Sequence, residues 1–246
     1  MTITDFYNTF YVEAEKSHAH AIFCERVYGI NLCQHGMADD NQIILMIEEL
    51  NVGKTSKLLD IGCGPGLITD YLQKKIGCTI TGIDISPEAI KRAIRIPNEN
   101  LQFIVGDIVN NEFKDDIFDA ILLIDTHYFI EEFTNIIPKL LKMLKAKGKI
   151  AIFSDEGKGI DGEDDSKTEP QETIIGKYLI LNKLKYKCIP LYKENVAHWR
   201  KKKQALLELE GEFIKENNQF IYNNRLEECT DHDRNLDGRY LFIIDK

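Results

Sequence analysis

The sequence predicts an α/β fold, an open, doubly wound and mostly parallel sheet, and three observations carry that prediction. From Lys57 onward short apolar runs alternate with segments of helical period; the first run passes straight into a glycine-rich turn, Gly62-Cys63-Gly64-Pro65-Gly66; and acidic residues follow the next two runs, Asp84 and Asp107. Strands covered on both faces read as near-continuous apolar stretches, and strand–helix–strand alternation brings each strand back parallel to the last.

In chain order, residues 1–50 come before the first strand. Residues 17–28 are helical in period, and Ile43, Met46, Ile47 and Leu50 mark one face of a second helix, capped by Asp39 or Asp40. These segments are expected to cover the C-terminal edge of the sheet as a helical lid. Strands are expected at 57–61, 79–83, 101–105, 118–124 and 149–154. Helices are expected at 67–75, at 87–96 with Ser86 as N-cap and Pro87 in the first turn, and at 130–145. Residues 157–170, GKGIDGEDDSKTEP, read as a mobile acidic loop; 173–184 as helix; 186–192 as extended; 198–229 as a long charged helical insertion; and 239–245 as a closing strand. Residues 57–155 form the core and 156–246 the substrate side of a single domain, 1–246.

The 246 residues carry a net charge of −9, with 43% apolar and 29% charged residues, an ordinary globular mixture. That balance argues against a protein that grips nucleic acid phosphates. The N-terminal MTITDFYNTF lacks a basic segment followed by an apolar run, and no apolar run is long enough to cross a bilayer. Six scattered cysteines without a CxxC pair fit a reducing compartment, so a cytoplasmic location without membrane attachment is expected. The acidic stretch from Asp161 to Asp165 has no spaced ligand pattern, and His18 and His20 point apart on their helix, so no metal site is expected.

The glycine turn holds the chemistry. Glycines there let a ligand approach the backbone closely, and an acid 22 residues beyond Gly62, at Asp84, stands where it can accept the ribose hydroxyls of an adenosine cofactor. A dinucleotide-binding turn would need GxGxxG, whereas this turn reads GCGPGLIT, which weighs against a nicotinamide-dependent oxidoreductase. The string LLDIGCGPG, followed by GIDIS and GDI, resembles the class I S-adenosylmethionine-dependent methyltransferases over about two-fifths of the chain. The resemblance implies a Rossmann-like sheet of seven strands with the last antiparallel. It implies S-adenosyl-L-methionine as cofactor and S-adenosyl-L-homocysteine as product. Gly62, Cys63 and Gly64 would then lie against the methionine portion, Asp84 and Ile85 at the ribose and adenine, Asp107 and Ile108 at the adenine, and Asp60 beneath the loop.

After the fourth strand the chain reads Ile124-Asp125-Thr126-His127-Tyr128-Phe129. The Asn/Asp-Pro-Pro-aromatic segment of amino-methylating nucleic acid enzymes is absent, as is the Pro-Cys of cytosine-C5 enzymes, so a small-molecule acceptor is expected. Together with Asp125 and the helical insertion, Tyr28-Gly29-Ile30-Asn31-Leu32-Cys33-Gln34-His35-Gly36 is similar to the phosphoethanolamine and small-amine methyltransferase branch. That resemblance implies cofactor contacts from Gln34 and His35, whose side chains could reach the methionine carboxylate, and catalysis by Asp125. The branch's catalytic His falls at Phe129, its catalytic Tyr near Lys16, and its phosphate-binding basic residues have no clear match.

Asp125 and His127, at a strand's C-terminal tip, are the catalytic candidates. Tyr7, Tyr11, Tyr128, His198 and Trp199 are candidates for contacting the acceptor; aromatic faces among them suit a cation. The basic run from Arg200 to Lys203 reads as a solvated helix face. Methyl transfer from a sulfonium to N, O or C is an in-line displacement in which the protein mainly aligns its reactants. A protein that keeps the fold without catalysis is the remaining alternative, disfavoured by the intact turn and both acids.

Overall fold

A computed structural model describes residues 2–156, 169–234 and 238–246. Its centre is β1 (Lys57–Ile61), which pairs in parallel with β2 (Thr79–Asp84) and β4 (Phe118–Ile124). Outward from these lie β3 (Leu101–Val105) beside β2 and β5 (Leu144–Glu156) beside β4, again parallel. β6 (Tyr186–Pro190) and β7 (Gly238–Asp245) complete the far edge, and β7 runs antiparallel to both β5 and β6. Among the described residues the seven strands form one sheet in the order β3-β2-β1-β4-β5-β7-β6.

Alternation along the strands divides the core. Leu59, Ile61, Ile121, Leu123, Ile150, Ile152, Phe242 and Ile244 face one side, where α6 (Ile137–Met143) and α7 (Ile174–Leu181) cover them. Leu58, Ala120, Leu122, Ala151, Phe153, Leu241 and Ile243 face the other, under α3 (Asp40–Leu50) and α4 (Leu67–Ile76). A third cluster forms the lid. It joins α1 (Ile3–Lys16) and α2 (His18–Tyr28) to α8 (Tyr192–Lys215) and α9 (Gln219–Arg234) through Phe10, Phe23, Tyr28, Leu206, Phe213 and Ile221. α5 (Pro87–Ala93) is tied to α1 by Arg92 and Glu15 at 2.9 Å.

Several expected boundaries move. The helix expected over 130–145 contracts to α6, because residues 127–129 and 133–136 wind into 3-10 turns and Leu144 already pairs with Phe118. The long helix expected over 198–229 begins at Tyr192 and breaks into two, with Asn217 in the left-handed region at φ 53 between them. α1 adds to the helices expected from periodicity, and Thr2 and Asp5 form the capping box that starts it. Of the two possible caps of α3, Asp39 does the work, accepting from Gln42 N at 2.9 Å. The loop expected at 157–170 lies almost wholly outside the described residues. No helix among the described residues is long and apolar enough to cross a membrane.

Candidate functional site

Where β1 ends the chain turns through Gly62, Gly64 and Gly66, all left-handed at φ 74, 53 and 79. Space and backbone both demand glycine here. A Cβ on Gly62 would collide with Thr126, and one on Gly64 would stand 2.7 Å from the Tyr11 hydroxyl. Gly62 N and Cys63 N both donate to Ile83 O, and the Cys63 side chain packs onto Gly82 of β2. Cys63 is thus a filler of the turn. Beneath it Asp60 accepts from Thr69 Oγ1 at 2.6 Å; burial pushes its carboxyl up to about 6, against the pull of that bond.

At the tip of β2 each oxygen of Asp84 takes one backbone N–H, Gly64 at 2.9 Å and Ser86 at 2.8 Å. Burial raises its pKa, while these two bonds favour the carboxylate. A carboxylate oxygen accepts more than one hydrogen bond, so Asp84 is fixed with lone pairs left for a ligand. Beyond β3, Asp107 is turned back on its own loop, accepting from Val109 N at 2.9 Å and Asn110 Nδ2 at 2.8 Å. Ile85, Ile108 and Val109 supply an apolar strip beside it. These groups open on one cavity of about 740 Å³ at the C-terminal edge of the parallel strands, where open α/β sheets bind ligands. A cradle that a Cβ would fill, a fixed diol acceptor and an apolar strip fit an adenosine cofactor.

Asp125 sits at the tip of β4 with φ 54, a conformation that Asp tolerates better than most residues. It lines the cavity, yet both oxygens of its carboxylate are held by other parts of the chain. Arg239 of β7 grips it with two nitrogens, at 2.6 and 3.3 Å, and its Oδ2 accepts from Met37 N at 2.7 Å and Ala38 N at 2.9 Å. Arg239 also reaches Asp155 at 2.9 Å and Gln42 at 2.8 Å, wholly buried. Gly36 is required beside this pair, since a Cβ there would lie 2.6 Å from Asp125 Oδ2. Asp125 therefore anchors the loop from lid to sheet, which its strand-tip position alone did not indicate.

Opposite lies the lid. Tyr7 and Tyr11 line the cavity; the Tyr7 ring meets Phe129 edge-on at 5.5 Å and His35 at 5.1 Å. His35 Nδ1 is 3.4 Å from the Tyr7 hydroxyl and Nε2 is 3.1 Å from Glu228, and burial pushes the imidazole down to about 4. Gln34 and His35 both line the cavity, but the Gln34 side chain is spent on its own turn, accepting from Leu32 N and donating to Ile30 O.

Four of the expected contacts are not brought to the cavity. His127 faces Ser154 Oγ at 3.2 Å and lies against Phe133, and burial lowers it to about 4; Tyr128 packs on His127 and Phe129 with part of its ring exposed, while burial raises its hydroxyl and the carboxylates of Asp125 and Asp155 push the same way. His198 is buried against Tyr28, and Trp199 lies under the Lys202 ammonium. The basic run is not simply a solvated face either, because Lys202 is buried and pairs with Glu228 at 2.5 Å. Glu228 also meets Arg225, and these two cations outweigh the burial that would raise its carboxyl, holding it below the usual range. The sequence offered one signal for such pairs. Arg239 opens an otherwise apolar strand, and a charge there needs a partner.

Residues 59–152 match the methyltransferase domain family. The resemblance read from LLDIGCGPG, GIDIS and GDI holds at that level. The chain is 32% identical over 131 residues to phosphoethanolamine N-methyltransferase 1 of Zea mays, covering 52% of this chain and 26% of that protein. It is 28% identical over 141 residues to norajmaline N-methyltransferase of Rauvolfia serpentina, covering 55% and 48%. Haemonchus contortus phosphoethanolamine N-methyltransferase 2, solved with phosphomonomethylethanolamine and S-adenosylhomocysteine, shares the fold. Its TM-score is 0.68 at 16% identity, over 97% of this chain and 60% of that one. The chain thus spans less than two thirds of each of these relatives.

Proposed function

We propose that this protein is an S-adenosyl-L-methionine-dependent methyltransferase acting on a small-molecule acceptor, with residues 1–246 working as one domain in the cytoplasm. The observation that carries the reading is the cradle at the ends of β1 and β2. Glycines that no larger residue can replace stand beside an acid whose two oxygens are already aimed by backbone N–H groups. Gly62, Cys63 and Gly64 would face the methionine portion, Asp84 the ribose hydroxyls, and Ile85, Asp107 and Ile108 the adenine. Bound there, the cofactor supplies an electrophilic methyl on a sulfonium, whose leaving group is good without acid catalysis.

The chain's own task is alignment and exclusion of water. Tyr7, Tyr11 and Phe129 close over the cavity and offer ring faces to a cationic acceptor or to positive charge developing during transfer. Asp125 acts by holding residues 37 and 38, and through them the cavity wall. With Asp155 and Arg239 it forms a group of two carboxylates and one guanidinium, so a surplus negative charge lies at the β4 tip. That charge suits an amine better than an anion. His127 supports the β4 loop from outside the cavity. A relative that methylates phosphoethanolamine and one that methylates norajmaline leave the acceptor to experiment.

Calorimetry with S-adenosylhomocysteine, followed by a screen of amines, phenols and carbon acids with methyl-labelled cofactor, tests this reading. Saturable binding of one equivalent is expected. Folded protein that takes up no ligand would refute it.

A further inference from the structure

The cavity wall at residues 34–36 is held from behind by a residue of the insertion. Arg225 of α9 is wholly buried; its Nη2 donates to Gln34 O at 2.5 Å and its Nη1 to His35 O at 3.1 Å. The guanidinium lies on the lid side of the loop, 5.1 Å from the centre of the Phe10 ring, 5.5 Å from that of Phe23 and 3.1 Å from His20 Nε2. The two carbonyls belong to the peptide units that carry the N–H groups of His35 and Gly36. No peptide is cis among the described residues, and in a planar trans unit the C=O and N–H point in opposite directions. Carbonyls drawn toward α9 turn those N–H groups away from it, toward the cavity that His35 and Gly36 line. Neither N–H meets a protein acceptor among the described residues. Neighbouring amides are occupied: Met37 and Ala38 donate to Asp125.

Two adjacent, unpaired backbone N–H groups aimed into a cavity receive an anion. Charge behind the loop agrees. Arg225 and Lys202 share one carboxylate, Glu228, so this buried group carries a surplus positive charge. On the far side of residues 37 and 38, the Asp125, Asp155 and Arg239 group carries a surplus negative charge. A ligand with a carboxylate at one end and a cationic centre at the other matches both.

We propose that Arg225 is a positioning residue that aims the His35 and Gly36 N–H groups at the α-carboxylate of the cofactor's amino-acid end. The inference rests on the proposed function. It replaces contacts from the Gln34 and His35 side chains, which are spent elsewhere, with backbone contacts set by a helix 190 residues away in sequence.

Two ligands separate this role from a merely structural one. S-adenosylhomocysteine has the carboxylate; 5′-methylthioadenosine keeps the nucleoside and thioether but lacks it. Arg225→Gln is expected to weaken S-adenosylhomocysteine about ten- to a hundredfold by calorimetry, as for loss of hydrogen bonds to a charged group. Binding of 5′-methylthioadenosine should stay within about twofold, as expected of parts that do not interact. Arg225→Lys keeps the charge but not the fork, and should show the same split at smaller size, which serves if the Gln variant does not fold. Equal weakening of both ligands, or of neither, would overturn the positioning role. Wild-type protein that binds neither would instead overturn the proposed cofactor.

Discussion

Replacing Arg239 by Met tests how the cavity is held to the sheet. The guanidinium is buried, and it is the cation that Asp125 and Asp155 share, at 2.6 and 2.9 Å. Removing it leaves two carboxylates without the cation they share. Breaking one buried pair by deleting a partner costs about 3–5 kcal/mol, so Arg239→Met should lose about that much by urea denaturation at pH 7.5. The sign of the pH dependence follows from linkage. Asp155 is already raised by burial while Arg239 opposes the shift; without Arg239 its folded-state pKa would lie further above its unfolded value. Folded protein would then bind more protons than unfolded protein at mildly acidic pH, so the variant should recover stability as pH falls and lose it as pH rises. Adding Asp125→Asn should restore part of the loss, because the two sites are coupled. A loss below about 1 kcal/mol, no more than an exposed ion pair is worth, would refute the account of Asp125 as a buried anchor.

Three further outcomes are expected. Asp84→Asn keeps the shape but puts an amide where two N–H donors and a ribose all need acceptors. Its affinity for S-adenosylhomocysteine should fall about ten- to a hundredfold by calorimetry, and its thermal midpoint should fall too, because the Gly64 or the Ser86 N–H loses its acceptor. Thr69→Val removes the bond that favours the Asp60 carboxylate, whose folded pKa of about 6 already exceeds the ordinary 3.8. That excess means stability from Asp60 is greatest at low pH and is lost as pH rises through 6; the variant should cost about 1 kcal/mol at pH 7.5 and less at pH 5, by chemical denaturation. His127→Ala should bind S-adenosylhomocysteine within about twofold of wild type, since its ring lies outside the cavity lining; a large loss of affinity would place the ring at the ligand instead.

Much of the cradle at the ends of β1 and β2 was readable along the chain because its determinants are local. An apolar run, a turn that only glycine can make and a helix start lie within about twenty residues, and each acid sits at the end of its own strand. The rest of the cavity was less readable. His127 and Tyr128 occupy a strand tip as expected, but a 3-10 turn keeps them out of the cavity lining, and a short 3-10 turn leaves no periodicity to detect. His198 and Trp199 lie on a helix whose start the extended reading of 186–192 had concealed.

The sequence by itself determined the doubly wound sheet, the glycine turn and the acids beyond it, since short-range sterics and burial decide those. Only the tertiary structure decided what the buried charges do. Asp125 finds Arg239 across 114 residues, and Gln34 O finds Arg225 across 191. Partners that far apart are chosen by the antiparallel return of β7 and the folding of α8 and α9 onto the lid. A buried charge must be paired, but no local pattern says with which residue.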